Sequence, residues 1–378
     1  MNKINKVYYQ RCARCVMDTD AIDITFDKQG ICNFCFDFLE RSKNILGQNS
    51  IVKEDRLDQL VQRIKNDGKN KPYDCIVGIS GGVDSSWTLV EVKRLGLRPL
   101  AVHMDNGWNS ELAQNNISNL LNTLKVDLYT HVINWEEYRN LMQAFFDADV
   151  IDIELLYDNA CLAVNYQQAI KYGLKHILAG TNNATEGMKM PKKWNWFKYD
   201  KRNIKALAKR NGLKGFKTFP TIGTSEFVWN HFVKRIRWNS FLDYLNYNKF
   251  HALDELEKNY GYKRYVSKHY ESIFTRFYQG YILPKKFGVD KRKIHLATLV
   301  VSQQISRDEA LSMLEQTPYS SNVEIETDIT YFLKKMRWSR KQLDEYLARP
   351  EILHSNYSTE KPIWDYLLAF YKYLPRFK

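Results

Sequence analysis

A chain of 378 residues, 44% hydrophobic and 26% charged, has the makeup of a globular protein with room for one large or two moderate domains, which excludes a low-complexity disordered segment. Its first residues, Met1-Asn2-Lys3-Ile4-Asn5-Lys6-Val7, have no apolar core of signal length, and no run reaches the roughly 18 apolar residues of a membrane span, so the expectation is a cytoplasmic enzyme without a membrane role. The formal charge of +13 favours a polyanionic ligand. RNA, a nucleotide, a nucleotide sugar and an acidic membrane face would each satisfy it, and so would solvated surface lysines. The 14% aromatic content would serve either a sugar- or base-stacking surface or a helical core.

In chain order, the first signal is a pair of knuckles, Cys12-x-x-Cys15 and Cys32-x-x-Cys35, separated by sixteen residues. That spacing suits a four-thiolate zinc site, and in a cytosolic chain it points to metal before disulfides. No open ligand position is implied, so the role is structural, with an iron–sulfur cluster or a redox dithiol as the other options. Thr25 to Gly30 reads as a strand ending in a turn, as in a small zinc ribbon. Cys75 and Cys161 read as packing residues.

Lys53 to Lys65 then reads as an amphipathic helix, ended by the breaker Asp67-Gly68-Lys69-Asn70-Lys71-Pro72. Beyond it, strand-like runs (Cys75 to Ile79, Pro99 to Met104, Asp127 to Ile133, His176 to Ala179) alternate with helical patterns (Asp84 to Leu95, Ser110 to Leu124, Trp135 to Ala148, Asn159 to Tyr172). Such alternation predicts an α/β fold with a doubly wound parallel sheet, whose ligands lie outside the carboxyl ends of the strands. Three polar clusters stand at those ends: Ser80 to Ser86, His103 to Trp108 and Gly180 to Gly187. His103, Asp105, Gly180 and Thr181 are therefore candidates to contact a bound nucleotide.

The cluster after the first strand is the most telling. Ser80-Gly81-Gly82-Val83-Asp84-Ser85-Ser86 follows an apolar strand and opens a helix, so the N–H groups of Gly81, Gly82 and Val83 can approach an anion beside the positive end of the helix dipole. The hydroxyls of Ser80, Ser85 and Ser86 add donors. Neither Gly-x-Gly-x-x-Gly nor a Gly-Lys-Ser/Thr ending is present. An ordinary glycine-containing strand-to-helix turn is the plain alternative. The Ser-Gly-Gly-x-Asp-Ser pattern resembles the PP-loop of the ATP pyrophosphatases, which implies ATP cleavage between the α and β phosphates and a substrate oxygen activated as its adenylate.

Lys189 to Lys198 is basic, aromatic and broken by Pro191, and reads as a surface loop over the crevice, either static or a substrate flap. From about Phe219 helical periodicity takes over, with capping-box patterns at Ser306-Arg307-Asp308-Glu309 and Ser339-Arg340-Lys341-Gln342. The chain thus divides into a four-cysteine zinc-ribbon module (1–50), a PP-loop ATP pyrophosphatase domain (51–218) and a helical C-terminal region for substrate or partner (219–378).

The knuckles Arg11-Cys12-Ala13-Arg14-Cys15-Val16-Met17-Asp18-Thr19 and Gly30-Ile31-Cys32-Asn33-Phe34-Cys35, the PP-loop, Asp105-Asn106-Gly107-Trp108-Asn109-Ser110 and the run from Lys268 to Lys293 together resemble the N-acetyl sugar amidotransferases. Ser302-Gln303-Gln304 departs from that pattern, where a glycine would follow the serine. The resemblance implies conversion of an acetamido group on a nucleotide- or CMP-linked sugar precursor of a surface polysaccharide or glycan, such as an O-antigen, into an acetamidino group, with ATP, Mg²⁺ and a structural Zn²⁺. Asp84 would contact Mg²⁺ or fix the loop. Lys286, Lys291 and Arg292 would complete a phosphate clamp, although a solvated basic turn is the plainer reading of those three. His269, Glu271 and Arg276, placed along one helix, are weaker candidates to contact the sugar, and Glu186 would bind Mg²⁺ or hold the flap.

A fused glutaminase would show a cysteine just after the initiator methionine or a Gly-x-Cys-x-Gly elbow, and the sequence has neither. The resemblance implies ammonia from a separate glutaminase, in a set similar to the glutaminase and cyclase subunits of imidazole glycerol phosphate synthase. Two other readings compete. A PP-loop enzyme of tRNA 2-thiolation fits the charge and the knuckles but needs further cysteines near the site, and Cys75 and Cys161 are poorly placed, so a nucleic-acid substrate is not expected. A non-catalytic zinc-ribbon scaffold would not need the intact Ser80, Asp84 and Ser85.

Overall fold

The apolar runs form a five-stranded, wholly parallel sheet in the order β3-β2-β1-β4-β5, with β1 Cys75–Gly78, β2 Pro99–Asp105, β3 Leu128–Val132, β4 His176–Ala179 and β5 Arg237–Ser240. The computed structural model describes residues 9–265, 270–319 and 321–373, the last three by backbone alone. Side chains alternate across the sheet as the pleat requires. Val77, Ala101 and Leu178 face one way, into a cluster with Leu89, Val90 and Leu120, while Ile76, Leu100, Val102 and Ile177 face a second cluster with Leu141, Phe145 and Val164.

Helices cover both faces, which is why the strands can be apolar on both sides. The helices are α1 Asn33–Ser42, α2 Ser50–Asp67, α3 Val83–Arg94, α4 Glu111–Leu124, α5 Trp135–Asp147 and α6 Leu155–Lys171. Apolar residues of α2, α3 and α4 lie in the first cluster, those of α5 and α6 in the second. This is the doubly wound α/β architecture read from the alternation.

Three features differ from the sequence reading. β5 lies inside the segment assigned to the helical region; Arg237-Trp238-Asn239-Ser240 is a half-exposed edge strand without an apolar run, so it carries no period-two signal. Thr25 to Gly30 forms no full strand: the antiparallel pairing of the cysteine module is one bridge at each knuckle, Arg11 to Asp18 and, around the Asp27–Ile31 turn, Phe26 to Cys32, and α1 begins at Asn33. Glu271 and Arg276 do not share a helix, since Ser272 caps a helix that starts at Ile273. His269 lies outside the described residues.

The capping boxes at Ser306 and Ser339 both close. Much of the aromatic content packs a core: Trp108, Phe146, Phe274, Phe332, Trp338 and Tyr346 are linked by ring contacts at 5.0–6.4 Å. Among the described residues no helix is long and apolar enough to cross a membrane.

His354 ties the C-terminal segment to this core. It is 2% exposed, stacks on Trp196 at 5.1 Å, faces Asn203 Oδ1 through Nδ1 at 2.7 Å and accepts from the Asp152 backbone N–H through Nε2 at 3.3 Å. One nitrogen donates and the other accepts, so the neutral ring fits and the imidazolium does not. Burial lowers its pKa from 6.5 to about 4. The folded state therefore resists protonation that the unfolded chain accepts, and stability present above pH 6.5 is lost as pH falls toward 4, by about 3 kcal/mol. Urea midpoints measured across this interval should show that loss, reduced in His354→Gln; an equal slope in both proteins would contradict the assignment.

Candidate active site

The PP-loop geometry follows from its two glycines. Gly81 has φ +84°, where a side chain is strained, and a Cβ there would stand 2.9 Å from the Ala113 carbonyl oxygen. Its own carbonyl accepts from the Tyr262 and Tyr265 hydroxyls at 3.1 and 3.0 Å. Ser85 Oγ lies 3.2 Å from Ser80 Oγ, accepts from Ser80 N at 3.2 Å and donates to the Gly82 carbonyl at 3.1 Å, while Gly82 N donates to Ser80 Oγ at 3.3 Å. The loop is thus preformed at the start of α3. From β4, Gly180 passes so close that a Cβ would meet Ser85 N at 2.7 Å.

These elements border a cleft of about 1200 Å³ lined by Ser80, Gly82, Val83, Asp84, Ser85, Gly180, Thr181 and Glu186, with Lys249, Phe250, Ser306 and Asp308 across it. Carboxylates dominate: Asp84, Glu186, Glu271, Asp308 and Glu309 against Lys249, the one cation lining it among the described residues. Asp84 and Glu186 are the carboxylates beside the loop that would hold Mg²⁺. Asp84 is fixed by Thr185 Oγ1 at 3.2 Å and by the Tyr247 hydroxyl. Burial, with the Asp84 charge beside it, keeps the Tyr247 phenol protonated well above its ordinary range, so it serves as a donor.

Not every candidate lines the cleft. Ser86 is buried inside α3, its N–H spent on the Gly82 carbonyl, so it adds no donor. His103 is buried and works from beneath, with Nδ1 2.9 Å from the Ile79 carbonyl oxygen and Nε2 3.0 Å from Asn109 Nδ2. Asp105 organises the next turn, accepting from Gly107 N at 2.8 Å and Asn109 Nδ2 at 3.3 Å.

The C-terminal cations are placed elsewhere. Lys286 has a fully buried side chain bound to Asp149 at 2.8 Å and to the Tyr346 and Arg349 carbonyls at 2.7 and 2.8 Å, so its charge is used inside the protein. Arg292 folds onto Asp290 at 2.7 Å and the Gln316 carbonyl at 2.6 Å. Arg276 is held by Asp328 and Glu324 and stacks over Tyr270 at 4.7 Å. The clamp expected of Lys286 and Arg292 is therefore corrected to two structural ion pairs, and Arg276 to a third. Lys286→Met should cost about 3 kcal/mol of stability, as removal of one partner of a buried pair does. MgATP affinity, read by calorimetry on the folded variant, should change less than twofold; a tenfold loss would restore the clamp.

Lys291, paired with Glu154 at 2.8 Å, lines a second cavity of about 230 Å³. Ser80 and Glu271 border both cavities. Met190, Asn195 and Lys198 form part of its wall. That segment does not have the marks of a flap: Trp194 is buried, Trp196 N and Nε1 donate to Asp152 and Asp200 at 2.6 and 2.8 Å, and Lys198 bonds Asp152 and Asp158 at 2.7 and 2.8 Å. Two carboxylates raise the Lys198 pKa against its burial, and burial raises that of Asp158. The sequence reading missed Tyr247, Tyr262, Tyr265 and Asp158, because only the fold brings these distant residues to the loop and its second cavity.

The four knuckle cysteines are buried, with ligand sulfurs all within 4.8 Å of one another and neighbouring pairs at 3.6–3.8 Å. A tetrahedron with Zn–S bonds of ~2.3 Å has edges of ~3.8 Å, so the set fits Zn²⁺. Backbone N–H groups of Arg14, Cys15 and Cys32 point at Cys12 Sγ at 3.2–3.4 Å, which would stabilise thiolate charge. The module also clamps the far wall of the cleft: Arg307 donates to the Cys15 and Cys12 carbonyls, both at 3.0 Å, and Lys293 pairs with Asp18 at 2.6 Å.

Two family profiles match the chain. One, described as NAD synthase, covers residues 52–219, and one described as LPS biosynthesis protein WbpG-like, C-terminal domain, covers residues 271–371. Among solved structures, NMN synthetase from Francisella tularensis is 15% identical over 58% of this chain and 99% of that one, with a TM-score of 0.30. NH3-dependent NAD synthetase from Campylobacter jejuni subsp. jejuni NCTC 11168, in complex with the nitrate ion, is 16% identical over 56% of this chain and 85% of that one, with a TM-score of 0.29. No curated protein matches the chain.

Proposed function

Because this chain belongs to the N-acetyl sugar amidotransferase type of PP-loop family, we propose that it adenylates the acetamido oxygen of a nucleotide-linked sugar precursor and replaces that oxygen with nitrogen from ammonia. The observation that carries this reading is the pair of cavities meeting at Ser80 and Glu271, a large one beside the phosphate cradle and a small one next to it. A reaction that joins two substrates at one phosphorus needs that adjacency.

An amide oxygen leaves poorly. It therefore attacks the α-phosphorus first; the new P–O bond forms as the bond to pyrophosphate breaks and pyrophosphate takes the electron pair. Ammonia then adds to the activated carbon and loses one proton, and the C–O bond breaks with its pair departing on AMP. The product is an amidinium. The cradle's share is to hold departing charge on preset donors: the loop N–H groups, the Ser80 and Ser85 hydroxyls and the α3 N-terminus. Mg²⁺ held by Asp84 and Glu186 would add positive charge to that of Lys249.

Ammonia would come from a separate glutaminase partner with a cyclase-like subunit, for synthesis of a surface polysaccharide in the cytoplasm. The tRNA 2-thiolation alternative is less well supported, since Cys75 is buried in β1 and burial pushes both its thiol and that of Cys161 up, away from thiolate reactivity.

The test measures AMP and pyrophosphate from ATP, Mg²⁺ and an ammonium salt with UDP- and CMP-linked acetamido sugars or bulk tRNA, using Ser80→Ala as the blank. Sugar-dependent AMP equal to pyrophosphate supports the reading. AMP formed only with tRNA overturns it.

A further inference from the structure

The second cavity has a definite size and chemistry. At about 230 Å³ it falls below the ~300–1,000 Å³ of pockets for drug-sized ligands, so it takes one ring and not a nucleotide. Tyr157 and Phe274 give it apolar faces suited to the flat side of a ring. Its lysines are matched internally: Lys291 to Glu154 and Lys198 to Asp158, each at 2.8 Å, with Lys198 also on Asp152 at 2.7 Å. Glu271 stands at the junction with the cradle, and His295, Tyr138 and Tyr157 complete the titratable lining.

Three carboxylates, Glu154, Asp158 and Glu271, line it among the described residues. They have a chemical counterpart. An amide is neutral and its amidine product is a cation, so positive charge appears where nitrogen replaces oxygen, and a carboxylate-rich wall favours the charged end of the reaction over its start.

Resting on the amidotransferase reading, we propose that this cavity is the acceptor subsite: it seats a single acetamido-bearing ring with the amide oxygen directed at Ser80, leaves the carrier nucleotide outside, and sets Glu154, Asp158 and Glu271 around the carbon that becomes an amidinium. The nucleotide cleft and the acceptor then approach the α-phosphorus from opposite sides of the Ser80–Glu271 junction.

The test uses Thr275→Phe, which fills the cavity from its helical wall, and Asn195→Ala, which trims the wall formed by the 189–198 segment. In the AMP assay with the UDP- and CMP-linked panel, both should raise the acceptor KM at least tenfold. The Kd of α,β-methylene ATP and the thermal midpoint should stay near the wild-type values. Two folded variants with unchanged acceptor KM would overturn the subsite and leave the proposed function standing. If the wild type makes no sugar-dependent AMP, the functional reading is what fails. Saturation-transfer NMR with methyl N-acetyl-β-glucosaminide then decides the subsite separately. Transfer to the sugar that is seen with the wild type and vanishes with Thr275→Phe supports it, and transfer that is absent from the wild type, or unchanged in the variant, overturns it.

Discussion

Gly81→Ala should reduce acceptor-dependent AMP formation by on the order of a hundredfold or more while leaving a folded protein. Two effects add at that position. The residue has φ +84°, a conformation that costs an L side chain roughly 1–2 kcal/mol, and the new Cβ would stand 2.9 Å from the Ala113 carbonyl oxygen, a backbone atom that α4 holds in place. The loop must then shift, and on the proposed reading it carries the donors that would meet the departing pyrophosphate; loss of one such donor alone lowers turnover ~10²–10³-fold. Gly173→Ala is the control. That glycine has φ +65° with nothing near its would-be Cβ, so it carries the backbone strain without touching the cradle. Gly173→Ala should lose a little stability and keep its turnover. Equal turnover in both variants would mean that the loop does not hold the reacting phosphates.

Removal of zinc should cost both stability and nucleotide binding. The four buried cysteines flank the turn that presents the Cys12 and Cys15 carbonyls to Arg307, a metal held by them would brace that turn, and Arg307 opens the helix whose Asp308 and Glu309 line the cleft. With Cys32→Ser or a strong chelator, the thermal midpoint should fall by about 10 °C, the shift expected for several kcal/mol in a chain of this size. MgATP affinity should fall with it. Arg307→Ala separates the two effects, since it should keep one zinc per chain by metal analysis yet weaken MgATP binding. A zinc-free protein with an unchanged midpoint and MgATP affinity would show that the module does not support the cleft.

The sequence was legible where a local pattern determines a local structure. Ile76 and Val77 point to opposite faces of an apolar run, and that run passes directly into two glycines and a helix, so the cradle could be read before any tertiary neighbour was known. The Cys-x-x-Cys spacing worked for the same reason, since each tight turn places two sulfurs together. Cations were a different matter. Lys286 and Arg292 resembled phosphate ligands, and Arg276 a sugar contact, because charge and position along the chain were all that could be seen, whereas pairing with Asp149, Asp290 and Asp328 decides what each charge does. Tyr262 and Tyr265 failed to register because a tyrosine that bonds a loop carbonyl more than 180 residues away leaves no periodic trace. β5 escaped because an edge strand needs hydrogen-bonding backbone and little else.

Attack of the sugar's own amide oxygen on ATP leaves an isotopic signature. A UDP- or CMP-linked acetamido sugar is prepared with heavy oxygen in the acetamido carbonyl and turned over with ATP, Mg²⁺ and an ammonium salt; AMP and sugar are then weighed by mass spectrometry. The heavy oxygen should appear in the phosphate of AMP, and the sugar product should have NH in place of O. Unlabelled AMP formed alongside an amidino sugar would contradict it, because the oxygen would then have left by a route that does not pass through an adenylate.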